Sequence, residues 1–150
     1  MNAESKMNTE SNIELRAFVI ADYEAAFTLW SSIDGLYLSE SDTKEAVAAF
    51  LDRNPGFSVV AVDENGDMVG AVLCGHNGRA ASLYHLAVAE SARGKGVGQR
   101  LVQFCVARLT AANVARCSVF VYTDNEVGNR FWLNNGWYDP DTWKVLQRRL

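Results

Sequence analysis

The sequence predicts a mixed α/β fold whose elements follow the order β-α-α-β-β-β-α-β-α-β. Several stretches repeat apolar residues every three or four positions, which is typical of helices that bury one face. Asn65-Gly66 lies between two apolar runs, FSVVAVD and DMVGAVLCG, which indicates a β-hairpin. The later run CSVFVY is continuously apolar, as expected of a strand covered on both faces. Together these patterns predict a mixed sheet with helices on both of its faces.

The first half of the chain begins with a predicted strand over Ile13–Phe18. A helix follows Asp22, because apolar residues then recur at helical spacing. These residues are Tyr23, Ala26, Phe27, Trp30 and Ile33. A polar connector over residues 31–41 leads to Asp42-Thr43-Lys44-Glu45, whose capping-box pattern predicts that a second helix begins with Asp42 as its cap. Asn54-Pro55-Gly56 ends that helix.

The second half begins with the hairpin, and a tight turn over His76–Arg79 then leads into the strand ASLYHLAV. The segment RGKGVG, residues 93–98, precedes a long amphipathic helix. The strand CSVFVY comes next, followed by a helix over Asn125–Asn135 with Gly136 placed to end it. The segment WKVLQRRL, residues 143–150, is predicted to be the last strand.

Length and composition favour a single domain over residues 13–150, after a flexible N-terminal tail over residues 1–12. The chain has 150 residues, 49% of them apolar, which is enough for one core. Its net charge of -4 disfavours general attraction to nucleic acid or to an anionic membrane. No apolar run approaches the roughly 18 residues of a membrane span, and the polar N-terminus lacks a signal-peptide pattern. We therefore expect a cytoplasmic protein without a nucleic-acid or membrane partner.

The cysteines do not indicate a metal site or a disulfide framework. Cys74, Cys105 and Cys117 are widely spaced and lie within apolar stretches. Free cysteines in such surroundings behave as small hydrophobic residues. We expect three buried structural thiols and no metal.

The glycine-rich segment RGKGVG has the composition of a phosphate-binding turn. The first turn of a helix leaves backbone N–H groups without intrahelical partners and carries partial positive charge. Glycines let those amides approach a ligand, and Arg93 and Lys95 add two full charges. The segment is neither a Walker loop nor a dinucleotide-binding fingerprint. A tight strand-to-helix connection without a ligand is the alternative interpretation.

The wider context resembles the GNAT superfamily of N-acetyltransferases over nearly the whole chain, from Ile13 to Leu150. That family carries the pattern [QR]xxGx[GA], which matches Arg93, Gly96 and Gly98, shortly after a strand that here ends in LAV. A second family feature is an Asn followed by an aromatic pair and a Gly-aromatic. The matching residues are Asn125, Phe131-Trp132 and Gly136-Trp137. RNPGFSVVAVDENGDMVG and CGHNGRAASLYHLAV are similar to the small bacterial YpeA-type branch.

The resemblance implies a GNAT-like acyl-CoA N-acyltransferase fold with a splayed central sheet, and acetyl-CoA as co-substrate. In the family, a bulged strand ending in LAV lines the pantetheine, and an amide near Val88 polarises the thioester carbonyl. Asn125 would hold the cofactor through its amide, although an N-cap is the simpler role. The implied cofactor-binding residues are Leu86, Ala87, Val88, Arg93, Gly94, Lys95, Gly96, Val97, Gly98, Gln99, Asn125 and Trp132.

The usual general base of the family is missing. Relatives place a Glu or His at the positions of Ser82 and Tyr84, and neither hydroxyl is a base near neutral pH. Alternation along a strand puts Leu83 and His85 on the other face. His85 can titrate near neutral pH, but it is expected to face away from the cleft unless the bulge begins early. The catalytic candidates are Val88, through its backbone amide, and the two residues at or beside the usual base positions, Tyr84 and His85.

Three other polar or aromatic residues bear on the chemistry. His76 lies in a turn and Glu126 at a helix start, where structural roles explain both. Many relatives have a Tyr acid where this chain has Trp132, whose indole cannot give up a proton. The implied mechanism is direct attack by an amine in a ternary complex, with deprotonation through water.

The connector after the first helix is expected to line the site of the amine acceptor. It supplies Asp34, Tyr37, Glu40 and Asp42. Together with Ser82 and Tyr84, these residues would suit a cationic small molecule or peptide. A solvated loop is the alternative. Ribosomal-protein alanine acetyltransferases have Glu and Tyr where this chain has Phe120 and Trp132, which disfavours that assignment.

Two other functions remain open at this level. The chain could be an acyl-CoA-binding sensor that has lost turnover, or a binder of another nucleotide phosphate. The final strand and the tryptophans could form a homodimer contact or lie within the core.

Overall fold

The computed structural model describes residues 12–150, in two compact units that meet in sequence at Phe120 and Val121. The predicted tail lies outside the described residues except for Asn12. The prediction of one domain over residues 13–150 stays a prediction. None of the described helices is both long enough and apolar enough to cross a membrane.

Over residues 12–120, the first unit contains a five-stranded sheet, three α-helices and three short 3-10 helices. The strands are β1 (Glu14–Ala17), β2 (Val59–Val62), β3 (Met68–His76), β4 (Ala81–Val88) and β5 (Cys117–Val119). The α-helices are α1 (Tyr23–Ser31), α2 (Lys44–Arg53) and α3 (Val97–Ala111). The 3-10 helices cover Ile20–Asp22, Glu40–Asp42 and Glu90–Ala92. The strand order β1-β2-β3-β4-β5 confirms the predicted mixed sheet, since the β4–β5 pair is parallel and the others are antiparallel.

Helices cover both faces of this sheet, and adjacent residues of β3 face opposite layers. Ala71 belongs to a core cluster with Trp30 of α1 and Val47 of α2. A Cβ at the neighbouring Gly70 would lie 2.9 Å from Leu101 of α3, so the absence of a side chain lets α3 approach the sheet. The two layers therefore hold β3 and β4 between α1 and α2 on one face and α3 on the other.

The strand β4 carries a bulge just before its end. Tyr84 is opposite Leu73 and Ala87 is opposite Ala71, so two residues of β4 face a single residue of β3. His85 occupies the bulge with φ of 55°, a left-handed conformation that is uncommon for a residue with a side chain.

The contact between β4 and β5 covers only the first part of β4. The parallel register joins Ala81 to Cys117 and ends where Leu83 meets Val119. Five further residues of β4 continue beyond this pairing, which agrees with the splayed sheet that the sequence predicts.

The cap of α2 differs from the prediction. Thr43, not Asp42, is the N-cap, and its hydroxyl oxygen accepts a hydrogen bond from the Ala46 amide. Asp42 lies one residue earlier and is buried, because its carboxylate accepts a hydrogen bond from the Ser39 amide instead.

The second unit contains the helix α4 (Glu126–Asn134), which begins at Asn125 as predicted. Residues 143–150 have no regular secondary structure, so the predicted last strand is wrong. Their apolar side chains are exposed, including Trp143 and Leu146. An alternating pattern alone does not form a strand where no partner strand satisfies its backbone groups.

Candidate active site

The segment RGKGVG folds into an open turn before α3. Gly94 and Gly96 have φ of 77° and 75°, in the left-handed region that glycine enters without steric cost. Gly96 is the N-cap of α3, and no side chain caps the helix. A Cβ built on either glycine would meet nothing within 4 Å. The backbone here therefore faces open space.

The amides of this turn are free to bind a ligand. Within residues 12–150, no hydrogen-bond acceptor is found for the backbone N–H groups of residues 94–99. Arg93 is exposed and its Nε donates to the Val88 carbonyl at 3.4 Å, while Lys95 is exposed beside it. Unpaired amides, the positive end of a 15-residue helix and two cations are features that favour the binding of an anion.

The end of β4 lies directly before this turn and contains the predicted pantetheine segment. Ala87 is buried in the core cluster, and Leu86 and Val88 are half-buried. Val88 is opposite Gly70 in the β3 ladder. The pairing between β4 and β5 ends at Leu83. On the side that faces β5, residues 86–88 are therefore outside the β4–β5 ladder.

His85 does not face the layer that strand alternation predicts. Its ring lies 5.2 Å from the ring of Trp30, and its Nε2 is 2.8 Å from Oδ1 of Asp42. Leu83, by contrast, is buried but does not belong to the core cluster around Trp30. The prediction that these two residues share a face is wrong, because the bulge adds one residue and turns His85 towards α1.

Tyr84 and Ser82 lie where the alternation predicts. The Tyr84 ring meets Phe50 of α2 edge to face at 6.0 Å and stacks on Phe120 at 6.2 Å. Tyr84 is 40% exposed, so its hydroxyl-bearing ring forms part of an accessible surface. Ser82 is half-buried opposite Gly75.

The predicted acceptor wall is only partly accessible. Asp34, Tyr37 and Glu40 are exposed. Asp42, from the same connector, is buried and contacts His85. No local sequence pattern predicts this contact, because 43 residues separate Asp42 from His85.

The second unit contains two of the predicted cofactor-binding residues, Asn125 and Trp132. The side-chain oxygen of Asn125 accepts from the Gly128 amide at 2.9 Å, so the N-cap role is confirmed. Glu126 lies in the first turn of α4, and the ring of Trp132 packs edge to face against Phe131 and Trp137. The cofactor roles of Asn125 and Trp132 stay predictions.

Several remaining polar candidates have structural roles. Nδ1 of His76 accepts a hydrogen bond from the Gly78 amide and so closes the β3–β4 turn. Cys74 and Cys105 are fully buried as predicted, but Cys117 is only half-buried, so the prediction of a buried thiol is wrong there. Burial still raises the pKa of Cys117 to about 12. Among the described residues no group of three or more His, Cys, Asp and Glu side chains is placed to hold a metal ion.

Comparisons with known proteins agree with this architecture. A family model described as the acetyltransferase (GNAT) family matches residues 19–137. An acetyltransferase of Pectobacterium atrosepticum is 32% identical over 114 residues, which are 76% of this chain and 79% of that protein. An acetyltransferase of Sodalis glossinidius is 28% identical over 138 residues, 92% of this chain and 96% of that protein.

A solved structure has the same fold. The PaiA N-acetyltransferase of Thermoplasma acidophilum, in complex with coenzyme A, superposes with a TM-score of 0.72 at 20% identity. The match covers 83% of this chain and 88% of that chain.

Proposed function

The chain belongs to the GNAT family of acetyltransferases, and from that premise we propose that it transfers an acetyl group from acetyl-CoA to a primary amine. Acyl-CoA-dependent acetyltransfer is the activity of the family. The acceptor and the mechanism are the proposed part. The amine attacks the thioester directly in a ternary complex, without a covalent enzyme intermediate.

One observation carries the proposal: the free amides of residues 94–99 at the start of α3. These amides, with Arg93 and Lys95, would bind the diphosphate of acetyl-CoA, as helix N-termini bind phosphates elsewhere. The turn follows Val88 by only a few residues. Binding of the diphosphate therefore directs the pantetheine along the end of β4.

The open edge of β4 supports the placement of the thioester. Leu86, Ala87 and Val88 would contact the pantetheine through backbone groups on the side that β5 does not pair. The Val88 amide would then polarise the thioester carbonyl, a form of stabilisation that acts on charge as it develops. The side chains of these three residues contribute packing rather than chemistry.

A cationic amine is the proposed acceptor class. Asp34, Tyr37 and Glu40 present two carboxylates and an aromatic ring on the exposed connector before α2. The ring of Tyr84 and the half-buried Ser82 would contribute on the sheet side. We also place the protein in the cytoplasm, because its three cysteines are free thiols and disulfides are rare there.

The test is release of free CoA thiol on incubation with acetyl-CoA and a panel of amines. The panel should include a lysine-bearing peptide, a peptide with a free N-terminus and a polyamine. Thiol release that depends on the amine and yields the N-acetyl product is the expected result. Tight binding of acetyl-CoA, without amine-dependent release of thiol for any amine of the panel, would instead favour an acyl-CoA-binding sensor that has lost turnover.

A further inference from the structure

We propose that His85 is the general base of this acetyltransferase and that Asp42 is the residue that positions it. This inference rests on the proposed amine acetylation, because it assigns the residue that removes a proton from the acceptor. Three features of the molecule support it: the conformation of the bulge, the buried carboxylate and the free nitrogen of the imidazole.

The bulge holds His85 in a defined position. Its backbone is left-handed, and its carbonyl accepts a hydrogen bond from Nε1 of Trp30 at 3.1 Å. The same indole ring lies against the imidazole. A left-handed conformation costs roughly 1–2 kcal/mol for a residue other than glycine. Such backbone strain is concentrated at functional sites, where the surrounding structure maintains it.

The carboxylate of Asp42 is held as firmly as the ring. Its Oδ2 accepts from the Ser39 amide at 2.8 Å, and Oδ1 faces Nε2 of His85 at 2.8 Å. The hydroxyl of Tyr23 donates to the Asp42 carbonyl. The side chains of Asp42 and His85 are only 8% and 19% exposed, so both have little freedom to leave the contact.

This geometry determines which ring nitrogen can accept a proton. A carboxylate has no hydrogen to donate, so Nε2 carries the hydrogen of the bond to Asp42. The neutral imidazole then has its lone pair on Nδ1. Within the described residues, Nδ1 of His85 has no hydrogen-bond partner. All buried side-chain nitrogens and oxygens in this part of the chain do have a partner, so Nδ1 is not among the buried atoms. Nδ1 therefore reaches solvent.

The position in the chain connects this nitrogen to the reaction. His85 immediately precedes Leu86, Ala87 and Val88, which would line the pantetheine. Its ring contacts α1 and the Tyr84 ring contacts α2, and the connector proposed to bind the acceptor joins these two helices. A base at this point can reach an incoming amine directly or through one water.

The proton and electron balance of the step needs no further reactant. Nδ1 takes one proton from the acceptor ammonium, and the neutral amine forms a bond to the thioester carbonyl carbon. The carbon–sulfur bond then breaks and sulfur leaves with the electron pair. The second amine proton passes to the thiolate, and His85 releases its proton to solvent. An ammonium and acetyl-CoA thus give an amide, a free thiol and one proton.

The charged surroundings of the pair come from several elements. Tyr23 and Glu24 belong to α1, Lys44 and Glu45 to α2, and Tyr84 to β4. Lys44 is paired with Glu24 at 2.7 Å. Of the described charged side chains, Asp42 is the one that contacts the His85 ring. Asp42 is therefore the residue placed to orient the His85 ring.

The first experiment compares His85→Gln with wild type, using the panel amine that gives the fastest thiol release. The amide of Gln can still donate to Asp42. We expect kcat/KM to fall about 100-fold at neutral pH, the scale of general-base catalysis. CoA affinity should not change, and the acid limb of the pH profile should disappear. The matched control is His76→Gln, in the β3–β4 turn, with an unchanged profile.

The second experiment uses His85→Gly, which suits the left-handed backbone, so loss of folding is not expected. Free imidazole should restore activity in proportion to its neutral fraction. Asp42→Asn should lower kcat/KM about tenfold, through kcat and at unchanged CoA affinity, because the ring loses the acceptor that fixes its tautomer and orientation. Glu45→Gln removes a neighbouring exposed charge and should leave kcat/KM unchanged.

The possible outcomes separate the two proposals. An active wild type with the same rate and profile in His85→Gln overturns the base assignment and leaves amine acetylation standing. Wild-type kcat in Asp42→Asn, with no imidazole rescue of His85→Gly, also overturns the assignment. A wild type that binds CoA but acetylates no amine on the panel overturns both.

Discussion

Arg16 of β1 donates to both carboxylate oxygens of Asp22, through two hydrogen bonds of 2.8 Å each. Asp22 also accepts from the Val19 amide, and so closes the junction between β1 and α1. Its side chain is 11% exposed and that of Arg16 is 45% exposed. The junction positions α1, and α1 carries the Trp30 indole that holds the His85 carbonyl.

Asp22→Asn should destabilise the fold at neutral pH by about 1–2 kcal/mol, the value for charge-assisted hydrogen bonds reduced for the exposure of Arg16. The bond to Arg16 is the largest cause that lowers the pKa of Asp22. A lowered pKa means that this stability is complete above the unfolded value of about 3.9 and is lost as pH falls through the folded value.

Urea denaturation of wild type and Asp22→Asn from pH 7 to pH 3 measures this difference. The difference in free energy of unfolding between wild type and Asp22→Asn should become smaller below about pH 4. Glu24→Gln is the control, since the Glu24–Lys44 pair is exposed and its loss should not be measurable. A difference in free energy of unfolding that stays constant from pH 7 to pH 3 would contradict the stabilising role of the Arg16–Asp22 pair.

Gly96→Ala should weaken CoA binding about tenfold, or roughly 1.4 kcal/mol, because Gly96 is left-handed and begins the first turn of α3. The matched control is Gly66→Ala, because Gly66 has φ of 82° and a Cβ there also meets nothing within 4 Å. Both substitutions should cost similar folding stability, about 1 kcal/mol. Calorimetric titration with CoA that shows equal affinity for the two variants would argue against a ligand at the turn.

Tyr84→Phe should keep acetylation within about threefold of wild type, if deprotonation uses His85 rather than the Tyr84 hydroxyl. The substitution preserves the ring contacts with Phe50 and Phe120. Steady-state kinetics with the panel amine measures the effect. A hundredfold loss at unchanged CoA affinity would instead give the hydroxyl a chemical role.

The three cysteines should not react with a thiol reagent in the folded protein. Cys74 and Cys105 are fully buried, and burial raises the pKa of Cys117 to about 12, so its reactive thiolate is scarce at pH 8. Titration with an aromatic disulfide reagent should detect the thiols only after denaturation. Rapid stoichiometric labelling of the native protein would contradict the buried placement and would also interfere with the CoA-release assay.

The sequence predicted the parts of the fold that depend on local patterns. The apolar spacing of α1, the Asn65-Gly66 turn and the glycine turn before α3 all use neighbouring residues. The last strand failed because residues 143–150 have no ladder partner in the structure, and a strand needs one.

The site was predictable only in part, for a similar reason. Period-two alternation assigned His85 to the wrong face, because one extra residue at a bulge reverses the direction of the side chain. Asp42 was expected to cap α2, but the tertiary contact with His85 and a local hydrogen bond from the Ser39 amide hold it in a buried position instead. The open turn before α3 was predictable because glycines and the amides at a helix start depend on neighbouring residues and need no distant partner.

Amide hydrogen exchange at residues 94–99, with and without saturating CoA, tests the central claim most directly. Exchange in the β2–β3 turn around Gly66 serves as the internal reference. If the backbone at the start of α3 binds the diphosphate, exchange of these amides will slow markedly on binding while the Gly66 turn stays unchanged. Unaltered exchange over residues 94–99 in the CoA-saturated protein would contradict the account.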